Sequence, residues 1–370
     1  MKRRSLALHR TIALAVFSVL PQDVSPSTKD EVTVHWKGVA CDRDRIASDC
    51  GDAAAHAIAS WSGWASSHGY SMFLNDDGRV LLLLKHKDAT ADLELVERTC
   101  RFVDELLESK PDAAPKAAPT GADAPKESHP PAASSSTGET AVLVQAKDVG
   151  DYQAFLEHAA ELEPYLSSWI ESAAKMAGCT LFRPLCSSWI ELLAGQAEWD
   201  IKNELVHRLA SLLIVRSFGE QPFWLLMGLS WYVESEIRGG IYCFPYRDEF
   251  VWATEHGSWN TDLKRVVKKA GTGFLEKVVG WKRGSYDSDC ARLAWGFAGF
   301  LAEHHRGAIA KILEDLRALR EKKGVVREGR NWHVIPGWEP SLEDQRSVVQ
   351  RHAGEEFLDE FVAACTKSSK

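Results

Sequence analysis

Two helical runs separated by four residues constrain this chain more than any other feature. Residues 198–218 and 224–237 repeat apolar side chains at helical intervals, and Gly219-Glu220-Gln221-Pro222 lies between them. Gly favours a helix exit and Pro a helix start, so the spacing predicts a tightly joined helix pair. What precedes the pair mixes both periods. Ala53 to His68 has helical spacing, with Ile58, Trp61 and Trp64 available to one face. Asp76-Asp77-Gly78 is a turn signal, and Arg79 to Lys85 (RVLLLLK) is a buried-strand candidate. Leu93 to Leu107 is helical, Thr140 to Gln145 is a second strand, and Tyr152 to Ala177 is helical again. Leu181 to Leu193 reads as a strand or a strand-like hairpin around Pro184. Arg292 to Leu319 and Gly354 to Thr366 are helical in pattern. The order gives a mostly helical α+β chain, with its strand candidates before the helix pair and a helical C-terminal half.

Composition divides the chain. Ser109 to Thr140 is rich in Pro, Ala, Ser and charge and has no large apolar residue, so it cannot bury enough surface to offset its ordering entropy and reads as a linker. At the N-terminus, Lys2, Arg3, Arg4 and Arg10 flank Thr11 to Leu20 (TIALAVFSVL), and Pro21 follows. Basic residues before a short apolar core fit an export signal better than a membrane anchor. The expected division is therefore 1–25 signal peptide, 26–108 N-terminal α/β part, 109–140 linker and 141–370 main domain, in a secreted, periplasmic or cell-envelope protein. No apolar run in the rest of the chain is long enough for a membrane span. A formal net charge of -8 argues against a nucleic-acid partner, because phosphate neutralisation needs a basic face. Of the eight Cys, Cys41 with Cys50 and Cys179 with Cys186 are closest in sequence. Either could pair in an oxidising compartment, and buried thiols are the alternative.

The chemistry-bearing segment is Asn203-Glu204-Leu205-Val206-His207. It differs by one residue from H-E-x-x-H, in which two His one helical turn apart reach one metal and the Glu serves as general base. Twenty residues after His207 comes Met227, within Trp224-Leu225-Leu226-Met227-Gly228-Leu229-Ser230-Trp231-Tyr232-Val233-Glu234. This segment resembles the W-L-x-E-G-L-A-E-Y-x-E stretch of gluzincins, the peptidase MA-like branch of the zincins. Asp148, Tyr152 and Phe155, and the helical text from Tyr286 to His305, resemble further parts of secreted gluzincin-like proteins of unknown function. The resemblance implies a zincin-like fold, with a small N-terminal sheet layer packed on the helix pair and ligand positions at 203, 207 and 227. Only His207 is retained of these, since Asn is a weak ligand and a Met thioether suits Cu(I) rather than zinc. Glu234 lies two turns, about 10 Å, beyond Met227 on a helix.

No metal and no cofactor is expected on this reading. Asn203, Glu204, His207 and Met227 would line a vestigial cleft, with Glu204 at the old general-base position. The function implied is an exported, non-catalytic pseudo-metallopeptidase that binds an extended peptide or protein or acts as a scaffold. Two alternatives stand beside it. One is an active zinc peptidase with substitute ligands and Glu204 as base. The other is an unrelated helical interaction protein, which the lack of a sheet beside the 198–237 pair would favour. If the family geometry holds, Asn203→His with Met227→Glu should restore zinc affinity. His304-His305, His256 and His333 carry no metal signature. The fourteen Trp, among them the pairs Trp61/Trp64 and Trp224/Trp231, are core or else an aromatic groove.

Overall fold

Strands that are buried at every residue, such as Val80–Leu84 and Ala141–Ala146, must be covered on both faces, and the sheet they build is. The computed structural model describes residues 33–108, 138–191, 201–241, 259–281, 287–328, 331–335 and 337–367. The proposed signal peptide, positions 109–137 of the proposed linker, His256 and Cys243 lie outside them. Seven strands form one mixed sheet: β1 (Val34–Trp36), β2 (Val39–Cys41), β3 (Ser71–Leu74), β4 (Val80–Leu84), β5 (Ala141–Ala146), β6 (Gly178–Phe182) and β7 (Leu185–Ile190). Their order is β2-β1-β3-β4-β5-β7-β6, with β4, β5 and β7 mutually parallel. The protein is thus α+β, with its sheet in the N-terminal half and helices in the C-terminal half.

Alternation along the strands splits the interior in two. Leu81, Leu83, Val142, Val144 and Cys186 share a core with α2 (Asp52–His68), α4 (Val149–Leu162) and the short α5 (Ile170–Ala173). Val80, Leu82, Leu84, Leu143 and Trp189 face the other way. They pack with α3 (Thr90–Leu107), α6 (Ile201–Phe218) and α7 (Phe223–Arg238). The helix pair therefore lies beside a sheet, and α6 packs on β5, β6 and β7. Both helices are buried on nearly all sides, polar residues included. Beyond α7 stand α8 (Trp259–Ala270), α9 (Phe274–Val279), α10 (Ser288–His304), α11 (Arg306–Lys323), α12 (Leu342–Ala353) and α13 (Phe357–Thr366). A Cβ on Gly228 would overlap the Ala294 backbone, so that glycine sets how closely α7 approaches α10.

Several details differ from the sequence reading. Segment 109–140 does not separate two cores: β4 pairs directly with β5 across it, and Val32–Lys370 is one compact unit. The hairpin around Pro184 is β6–β7, with Phe182 opposite Leu185. The run read as one helix from 292 to 319 is broken at His305, whose backbone is non-helical. His304 and His305 thus fall at the helix junction, where His305 rests on the Phe357 ring, and His333 lies in a small hairpin, β8 (Val325–Glu328) with β9 (Asn331–Val334). All seven described cysteines are free. Cys41 ends β2 and Cys50 ends α1 (Arg43–Cys50), and the two are not joined. Cys186 stands opposite Leu181 and Cys179 opposite Ser188, a diagonal of about 7–8 Å that exceeds the usual span. Burial pushes the Cys179 thiol up to about 11, and Cys186 well above its ordinary value, so neither is a ready thiolate. Trp61, Trp64, Trp224 and Trp231 are all buried; Trp224 donates to Gln345 Oε1 at 2.7 Å. These four are core. Among the described residues no helix is long and apolar enough to cross a membrane.

Candidate functional site

The polar residues of the motif sit in the first two turns of α6 and divide between two faces. Asn203 and His207, at i and i+4, look at α7. Glu204 and Arg208, the same spacing one residue on, look at the β6–β7 hairpin. All four are buried.

On the α7 side the partner is Glu234, which is wholly inaccessible. Asn203 Nδ2 donates to Glu234 Oε1 at 2.7 Å and to the Gly240 carbonyl at 3.0 Å, and Asn203 Oδ1 accepts from Arg238 Nε at 3.2 Å. His207 Nδ1 shares a hydrogen bond of 3.2 Å with Glu234 Oε2. The His207 ring also lies 5.8 Å from that of Trp231. One turn further along α6, Ser211 and Ser230 hydroxyls meet at 2.7 Å. Asn203 ties the start of α6 to the end of α7, and Glu234 bridges the two side chains that in a zincin would share an ion.

Met227 stands elsewhere. It is buried among apolar side chains, about 10 Å along α7 from Glu234. The reason is the length of α6. That helix runs eleven residues past His207 before it turns at Phe218, and α7 begins at Phe223. In an antiparallel pair the residue facing His207 therefore lies about eleven positions into α7, which is Glu234. The position assigned from the gluzincin resemblance and the position set by the turn are two different residues.

On the hairpin side, Arg208 Nε donates to Glu204 Oε2 at 2.6 Å, and its Nη1 donates to Thr180 Oγ1 at 3.3 Å. Gly178, opposite Trp189, leaves the space the guanidinium fills: a Cβ there would come within 2.6 Å of Arg208 Nη2. Glu204 is thus held in a buried charge-assisted pair. The structure brings Asn203 and His207 together, adds Glu234, turns Glu204 toward Arg208, and leaves Met227 two turns away along α7. Arg208 and Glu234 were not singled out by the motif, although Glu204–Arg208 spacing is a helical ion-pair signature and Glu234 follows from counting outward from the turn.

Among the described residues there is no group of three or more His, Cys, Asp or Glu able to hold a metal ion. His207 and Glu234 are two such residues, and Asn203 stands third. No protein-family model matches the chain, and no curated protein matches it.

Proposed function

We propose that this is an exported, non-catalytic relative of the gluzincins that works as a peptide- or protein-binding or scaffold protein. One observation carries the reading: Glu204, at the general-base position, is committed to Arg208 in a buried pair. A base must meet a metal-bound water that reaches both the ion and solvent. This carboxylate instead serves as a strut between α6 and the β6–β7 hairpin. The Asn at position 203 supports the same reading, because its amide donates to Glu234 where a ligand would accept a metal. Basic residues ahead of a short apolar stretch support export. An extended peptide or a protein surface is the partner class, following the resemblance.

Metal analysis of the purified full chain tests the proposal. The expected result is well under one zinc per chain, and no chelator-sensitive cleavage of unfolded protein. One tightly bound zinc per chain, lost in His207→Ala, would overturn it. So would a chelator-sensitive peptidase activity abolished by Glu204→Gln, which is the catalytic alternative.

A further inference from the structure

We infer that the exposed face of α8 docks the protein on an anionic lipid surface. Lys264, Arg265, Lys268 and Lys269 all point to solvent from this helix, while Trp259, Leu263, Val266 and Val267 are buried beneath it. Residues 259–281 hold five Lys or Arg against two Asp or Glu, on a chain whose net charge is -8. Three acids on or beside this stretch are already engaged. Asp262 pairs with Arg292 at 3.3 Å and faces Arg265 at 3.7 Å, Asp289 holds Lys277 at 3.2 Å, and Glu276 pairs with Arg346. Lys264, Lys268 and Lys269 have no ion-pair partner among the described residues.

The helix itself accounts for only part of this. Cations in the last turn complement the helix dipole, which covers Lys268 and Lys269. Lys264 and Arg265 stand a turn earlier, and the like-charge pairs 264/268 and 265/269 oppose the helix. An external anion offsets that repulsion.

The chemistry favours a surface over a small ligand. Long, flexible lysines on a convex helix, with no buried donor among them, cannot enclose one phosphate. They can each meet a separate headgroup. Charges screen over about 8 Å at physiological salt, so a flat anionic surface touching α8 feels this local excess rather than the acidity of the far side. Because the apolar face of α8 is spent in the core, nothing inserts into the bilayer, and attachment is electrostatic.

Cosedimentation of the full chain with vesicles tests this. At 50 mM salt the chain should bind vesicles of mixed phosphatidylglycerol and phosphatidylcholine, leave them in 0.5 M salt, and ignore phosphatidylcholine alone. Lys264→Gln/Lys268→Gln/Lys269→Gln should weaken binding about 100-fold, at about 1 kcal/mol for each lysine near the surface. A thermal melt of the triple variant within a few degrees of wild type separates lost charge from lost fold. Three outcomes overturn the inference: no binding to the anionic vesicles, equal binding by a folded triple variant, or tighter binding to duplex DNA than to vesicles. None of them bears on the Asn203–Glu234 site, so this test and the metal test fail independently.

Discussion

Asn203 with His207, and Glu204 with Arg208, are the same spacing on the same two turns of α6, displaced by one residue, yet they join different parts of the molecule by different physics. The first pair is a hydrogen-bonded hub around one carboxylate, closing α6 on α7. The second is a salt bridge that fixes α6 to the β6–β7 hairpin. In a zincin the corresponding residues converge on one ion and one water. Here each face has its own partner, so residues that resemble a catalytic motif serve as two structural joints.

The salt-bridge face should break hardest. Arg208→Met leaves the Glu204 carboxylate buried beside no guanidinium and should cost about 3–5 kcal/mol in urea unfolding. Glu204→Leu combined with Arg208→Met should recover most of that loss. Additive losses in this cycle would mean the two residues do not act as a pair.

The hub face comes next. Glu234→Leu removes the acceptor of one Asn203 amide hydrogen and the His207 partner and should cost about 1–3 kcal/mol. Met227→Leu, a volume-conserving swap, should cost under about 1.5 kcal/mol. Equal losses would undo the distinction between the two candidate third corners. Asn203→His sharpens it further, because the introduced imidazole would then meet His207 and Glu234 at one place. We expect this single change to give zinc binding by calorimetry, and Met227→Glu to add nothing to it.

How much of this was legible is uneven for physical reasons. The buried strands β4 and β5 announce themselves by unbroken apolar runs, and helices α2, α3, α6 and α7 by period. Strands β1 and β2, three residues each, are too short to show one. The break at His305 has no Pro to mark it, and the one nearby glycine, Gly307, lies inside the helix that follows. The 203/207 face follows from i, i+4 spacing, but the facing residue depends on where α6 stops, and motif position alone pointed to Met227. Arg208 was visible as an i, i+4 partner of Glu204; its burial under Gly178 is a tertiary fact.

The smallest effect belongs to the far side of the sheet. Burial alone would raise the Asp151 carboxyl, but hydrogen bonds from Lys85 and Tyr70 outweigh it and hold it below the usual carboxylate range. A depressed folded value contributes stability above the unfolded pKa of about 3.9, lost as pH falls through the folded value. Asp151→Asn should therefore destabilise the chain slightly at pH 7 and not at all in strong acid. A loss that persisted there would point to packing rather than charge.

The pairing of β4 with β5 has a consequence for the molecule as two pieces. Residues up to Leu107 supply β1 to β4, and those from Thr140 supply β5 to β7, so every piece cut between them carries half a sheet with a naked central edge. Neither half can close a core alone. Expressed as separate polypeptides, 26–108 and 138–370 should each aggregate, yet reassemble when produced together, with Arg216 donating to the Glu139 carbonyl and Thr140 to the Gly78 carbonyl at the join. The chain would then behave as a split protein whose tether sets only how quickly its halves meet.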